Sequence, residues 1–99
     1  MNIKETKEGS KIIMFLSGSI DIPGAESLKK ALNVVVDGGA KEVVFDFKEV
    51  NFIGSSGIGK LLIFYKNFTA KGGQIYIENL NKEIKALFRA IKLDKLFNI

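Results

Sequence analysis

Glu42-Val43-Val44-Phe45-Asp46-Phe47 is a run of β-branched and aromatic residues with apolar side chains on nearly both faces. A strand apolar on both faces belongs in the middle of a sheet, in a mostly parallel setting with helices as cover. The flanking sequence supplies those helices. Upstream, Pro23 suits a first helical turn, where its missing N–H costs nothing. Ala25, Leu28, Leu32, Val35 and Val36 then recur at helical spacing, and Gly38-Gly39 stops the helix. Downstream, Lys48–Ile53 leads to a glycine-serine segment, and Ile58, Leu61, Leu62, Tyr65 and Phe68 mark the buried face of a second helix ending at Lys71-Gly72-Gly73.

Further out, Asn2–Lys7 and Lys11–Leu16 read as strands of a hairpin turning at Glu8-Gly9-Ser10, and Gln74–Glu78 alternates as another strand. Asn81 can cap a third helix with Ile84, Leu87, Phe88 and Ile91 inward, and Leu96–Ile99 reads as a short last strand. The order β-β-α-β-α-β-α-(β) predicts one α/β domain over residues 1–99. Its sheet is mixed, mostly parallel and four- to five-stranded, with about three helices.

Composition narrows the chemistry. The 99 residues carry no cysteine and no histidine. Disulfides, thiolate catalysis, Ser-His-Asp arrangements and the commonest zinc sites are therefore excluded. No metal or cofactor site is expected, and composition alone makes an enzyme the less favoured class. No apolar run is long enough to span a bilayer and the first residues do not begin a signal peptide, so the expected location is the cytoplasm. The formal charge of +4 suits an acidic partner but is modest for a nucleic-acid binder.

The segment that carries chemistry is Gly54-Ser55-Ser56-Gly57-Ile58-Gly59. In its plainest reading it is a turn and a helix start, with Ser55 or Ser56 as the N-cap. A phosphate loop is a near miss: Gly54 and Gly59-Lys60 have the right spacing, but Leu61 stands where a Ser or Thr should hold Mg²⁺. A dinucleotide loop like that of short-chain dehydrogenases fails on chain length and on Thr69, which stands where a Lys should follow Tyr65. A nucleophile elbow fails because Ile58 replaces the last glycine and no histidine can act as base. A fourth reading makes a serine the acceptor of phosphate. At a helix N-terminus unpaired N–H groups and the dipole favour negative charge. A phosphate there is tolerated by the fold yet repels an acidic or phosphate-bearing partner.

Together with Leu16-Ser17-Gly18-Ser19-Ile20-Asp21, Val43–Phe47, Gly72-Gly73, Leu87-Phe88 and Leu93–Phe97, the stretch Phe52–Gly59 resembles the STAS domain, specifically the bacterial anti-sigma factor antagonist family. The resemblance covers nearly the whole chain. It implies a non-catalytic binding module that sequesters an anti-sigma factor, itself a serine kinase, and so frees a sigma factor. In that family the kinase phosphorylates the antagonist to release it, and a phosphatase resets it. The family's phosphoserine maps onto Ser55, with Ser56 as the alternative, and its interface aspartate onto Asp21. Asp21, Ile22, Gly54, Ser55, Ser56, Gly57 and Ile58 are then the expected partner-binding residues. The chain departs from the family at Gly54, where well-studied members carry an aspartate. Two other uses stay open: a small nucleotide-binding protein using Gly54–Lys60, and a STAS scaffold or lipid-transport accessory without a phosphorylation switch.

The remaining candidates have ordinary explanations beside these. Asp21 is well placed to cap the first helix, Ile22 and Ile58 can equally belong to the core, and Asp46 can hydrogen-bond loop N–H groups near Ser55. Lys82, Lys85, Arg89, Lys92 and Lys95 form a basic stripe that reads first as a solvated helical face, so neither direct nucleic-acid nor membrane binding is expected.

Overall fold

The computed structural model describes all residues, Met1–Ile99. Its elements in chain order are β1 (Asn2–Glu8), β2 (Lys11–Ile20), α1 (Ile22–Asp37), β3 (Glu42–Ile53), α2 (Ser55–Thr69), β4 (Gln74–Glu78) and α3 (Lys82–Ala90). They form a mixed sheet of order β1-β2-β3-β4, with β1 antiparallel to β2 and the other pairs parallel. The β1–β2 turn is only Gly9-Ser10, with Gly9 at φ 64°, a conformation a two-residue hairpin needs and glycine adopts without a Cβ penalty.

The core lies on one face of this sheet. Ile12, Met14 and Leu16 of β2, Val43, Phe45 and Phe47 of β3, and Ile75 and Ile77 of β4 alternate onto that face. Against them pack Ala25, Leu28, Leu32 and Val35 of α1, Leu61, Phe64 and Phe68 of α2, and Ile84 and Phe88 of α3. Phe45 meets Phe64 edge-on at 5.7 Å between ring centres, and Phe88 sits between Phe47 at 6.4 Å and Phe97 at 6.1 Å. These are favourable edge-to-face contacts. No buried side-chain polar atom lacks a hydrogen-bond partner.

The structure corrects four expectations. First, β3 does not end at Phe47 but continues to Ile53. Register shifts between Phe15 and Ser17 and between Gly18 and Ser19 break the two-residue period, so the buried positions after Phe47 fall at Val50 and Ile53. Second, the buried stripe of α2 is Gly57, Leu61, Phe64 and Phe68; Tyr65 and Ile58 are half-buried and Leu62 is exposed. Third, α3 buries only Ile84 and Phe88, leaving Leu87 and Ile91 exposed.

Fourth, Leu96–Ile99 is no strand. It belongs to a turn that follows Leu93, held by Ile99 N–H to the Asp94 carbonyl at 2.8 Å. The turn still covers the outer edge of β4, because the Ile77 N–H donates to the Phe97 carbonyl at 3.0 Å and Asn98 Nδ2 donates to the Ile75 carbonyl at 2.8 Å. Asn81 caps α3 as expected, its Oδ1 accepting from the Ile84 N–H at 2.8 Å. Phe97 is thus both a core ring and the anchor of this edge cover. Phe97→Ala is expected to cost about 3–5 kcal/mol, the usual range for a deleted core aromatic, measured as a fall in the urea midpoint at unchanged slope.

Candidate functional site

The last paired residues of β2 and β3 are Ile20 and Ile53. Because these strands are parallel neighbours, the segments that leave them emerge side by side at one end of the sheet, where α/β proteins place their sites. Asp21 follows one strand and Gly54 the other, and the Gly54 N–H donates to the Ile20 carbonyl at 3.0 Å. Topology therefore brings together residues more than thirty positions apart in sequence.

Asp21 is the N-cap of α1. Its Oδ1 accepts from the Gly24 N–H at 2.9 Å, and Pro23 occupies the first turn. The carboxylate remains exposed, so capping leaves an acceptor oxygen facing outward. Gly24 is itself constrained, since a Cβ there would lie 2.6 Å from the Ser19 carbonyl oxygen.

The N-cap of α2 is Gly54, not either serine. Ser55 and Ser56 are the first two helical residues, and no side chain caps this end. The first intrahelical-type bond runs from the Ile58 N–H to the Gly54 carbonyl at 3.1 Å, which leaves the N–H groups of Ser55, Ser56 and Gly57 without a backbone partner. Ser55 is exposed and Ser56 half-buried. Gly54 has φ −96°, and a Cβ built there meets the Phe52 ring at 3.4 Å, an ordinary contact. The aspartate of the family pattern is sterically admissible here, so the glycine alters the chemistry of the site and not its backbone.

Asp21, Ile22, Pro23, Phe52, Gly54, Ser55 and Ser56 line one open depression. Of the seven expected partner-binding residues, five meet there. Gly57 lies beneath the surface, and half-buried Ile58 packs against the core. Phe52 and Pro23 complete the rim without having been singled out. Phe52 is 51% exposed and Ile22 71%, an apolar pair unusual for a polar site. The signal for Phe52 was an aromatic residue directly ahead of Ile53-Gly54, obscured because the register shifts break the strand period after Phe47. Asp46 does not reach the site: its Oδ1 accepts from the Lys48 N–H at 2.9 Å within its own strand.

The phosphate-loop reading loses its geometry. Residues Ser55 to Lys60 are already helical, so no loop of N–H groups is available to wrap a nucleotide phosphate. Lys60 reaches across to Glu26 on α1 at 3.6 Å.

Comparison with known proteins identifies the family and the fold. The sequence profile of the STAS domain matches residues 2–99, and the chain belongs to that family. The anti-sigma-B factor antagonist of Bacillus subtilis (strain 168) is 25% identical over 99 residues, which cover 100% of this chain and 90% of that protein. Among solved structures, the phosphorylated form of the Bacillus cell fate determinant SpoIIAA superposes with a TM-score of 0.79 at 18% identity, covering 96% of this chain and 87% of that one. An anti-sigma factor antagonist from Mycobacterium paratuberculosis gives 0.81 at 24% identity, covering 97% and 81%. No helix is long and apolar enough to cross a membrane.

Gly57 is what lets α2 start so close to the strand ends. A Cβ there would lie 2.5 Å from Ile20 Cγ2 and 3.0 Å from Ile53 Cγ1. Gly57→Ala is therefore expected to destabilise the domain by about 1–3 kcal/mol despite alanine's better helix propensity, read from chemical denaturation.

Proposed function

We propose that this chain is an anti-sigma factor antagonist whose binding is switched off by phosphorylation of Ser55. Its partner is a cytoplasmic anti-sigma factor that is also a serine kinase; binding frees a sigma factor, phosphorylation ends the binding, and a phosphatase restores it. The observation that carries the reading is the exposed Ser55 hydroxyl at the uncapped start of α2, on the same depression as Asp21, Ile22 and Phe52. Family membership and the antagonists among its relatives support the assignment.

The mechanism follows from two separate effects of one phosphate. Within the domain, a group carrying about −1.5 to −2 charge is held by the helix dipole and by free N–H groups, so the fold survives modification. At the surface, the same charge is added beside the Asp21 carboxylate. A kinase docked there with its own nucleotide phosphates is then repelled, while Ile22 and Phe52 lose their apolar cover. Exposure favours Ser55 over half-buried Ser56 as the acceptor.

Incubated with its host kinase and ATP, the chain is expected to gain one phosphate, placed on Ser55 by fragment mass spectrometry. Modification confined to Ser56 refutes Ser55 as the acceptor, and none with any host kinase refutes the switch. Ser55→Asp should bind the unmodified partner more weakly than Ser55→Ala in the same titration. Asp21→Asn separates the two duties of that residue: asparagine caps as well as aspartate, so stability should hold while partner affinity falls roughly tenfold. Equal affinity for Asp21→Asn and wild type would remove Asp21 from the interface.

A further inference from the structure

The helices cover one face of the sheet only, and the other face has a definite pattern. Val44 is 6% exposed and buried, yet it stands outside the core cluster. Around it on the same pleat are half-buried Ile13 and Tyr76 and exposed Phe15. The strand register arranges this face in three cross-strand rows. One is Glu8–Lys11–Glu42–Gln74, the next Thr6–Ile13–Val44–Tyr76, and the third Lys4–Phe15–Asp46–Glu78. The apolar residues occupy the two central strands and Tyr76, and the charged residues have a polarity. Lys4 of β1 and Lys11 of β2 lie towards one side and Glu42, Asp46 and Glu78 of β3 and β4 towards the other, with Glu8 of β1 the exception; Lys11 also pairs with Glu42 of its own chain at 3.8 Å.

The geometry points to a second copy of this chain as the occupant of that face, in a symmetric dimer. A face-to-face pair has its two-fold axis in the interface plane. With the axis parallel to the strands, β1 of one protomer lies over β4 of its partner and each row faces itself reversed. Lys4 then opposes the partner's Glu78, Lys11 opposes the partner's Glu42, and Ile13 opposes the partner's Val44. Asp46 faces the partner's Phe15, with the partner's Lys4 next to it in the row. An axis across the strands instead sets Asp46 against the partner's Glu42, a like-charge contact, and offers one opposite-charge pairing, Glu8 with the partner's Lys4, where the axis along the strands offers two and no like-charge contact. Opposite charges at both ends of an apolar centre thus select one arrangement of identical chains.

The arrangement has a size and a polarity. Four strands at about 4.8 Å spacing make a narrow face, smaller than the roughly 800 Å² per partner of a standard interface. The dimer is accordingly expected to be a weak one. Because the axis runs along the strands, the two Ser55 sites lie at the same end of the dimer, both off the interface. Pairing is therefore independent of the switch.

Sedimentation equilibrium on the intact chain, up to roughly millimolar concentration, tests this. Wild type is expected to show a monomer–dimer equilibrium that weakens with added salt. Lys4→Glu and Glu78→Lys should each weaken dimerisation roughly tenfold, since each reversal turns two symmetry-related attractions into repulsions. The double variant carrying both reversals should recover it. Both positions are exposed, and circular dichroism checks that the variants stay folded. A wild type that remains monomeric overturns the proposal. So does a dimer indifferent to the single reversals, or a double variant no better than the singles. Phe15→Glu that spares self-association but abolishes binding of a different protein also overturns it, by assigning the face to that protein.

Discussion

The parallel pairing of β2 with β3, carried to the very ends of both strands, is the constraint on which the rest depends. It ends at Ile20 opposite Ile53, and the Gly54 N–H to the Ile20 carbonyl bond extends it one step further. Two helices must therefore begin next to each other. Their starts are built differently: α1 is closed by the Asp21 carboxylate, and α2 has no side-chain cap. One start is finished and the other is left open to a ligand or a covalent group. The close seat of Gly57 on Ile20 and Ile53 holds that open start against the strand ends, so the site inherits the rigidity of the core.

How much of this was legible in the sequence depended on whether a regular period survived. Val43–Phe47 sits on unbroken pleat, and its reading as a central strand held. Pro23, Asn81 and the Gly9 turn are local chemistry, and all three act as their residue types dictate. The reading failed where tertiary contacts changed the period. Two register shifts hid the second half of β3, and with it Phe52 as part of the site. In α2 a glycine takes a buried position because the strand ends come too close for any side chain, which no hydrophobicity pattern records. Leu96–Ile99 has a strand's composition, yet the turn after Leu93 lets Phe97 enter the core instead.

The candidate site was legible as residues that come together but not as an assignment of caps. Asp21 and the serine pair were recognised, whereas the cap of α2 fell to Gly54 and not to a serine. That difference changes which atoms are free. A serine engaged as a cap has its oxygen committed to a backbone N–H. One position further along, the hydroxyl is free while the backbone around it still favours an anion. The glycine in place of the family's aspartate also removes a negative neighbour that a phosphate on Ser55 would otherwise have to share space with.

The two outer edges of the sheet are guarded by different means. β4 is sealed by hydrogen bonds from the Phe97–Asn98 turn. β1 has no such cover, but four of its seven residues are Lys4, Glu5, Lys7 and Glu8, and only Ile3 is not exposed. An edge strand with charges of both signs along it is a poor template for another strand. Ladder extension into fibrils is thereby discouraged at both edges. On the β1 side that protection resides in the seven residues Asn2–Glu8 themselves, and so does not wait for the turn at Phe97–Asn98 to dock.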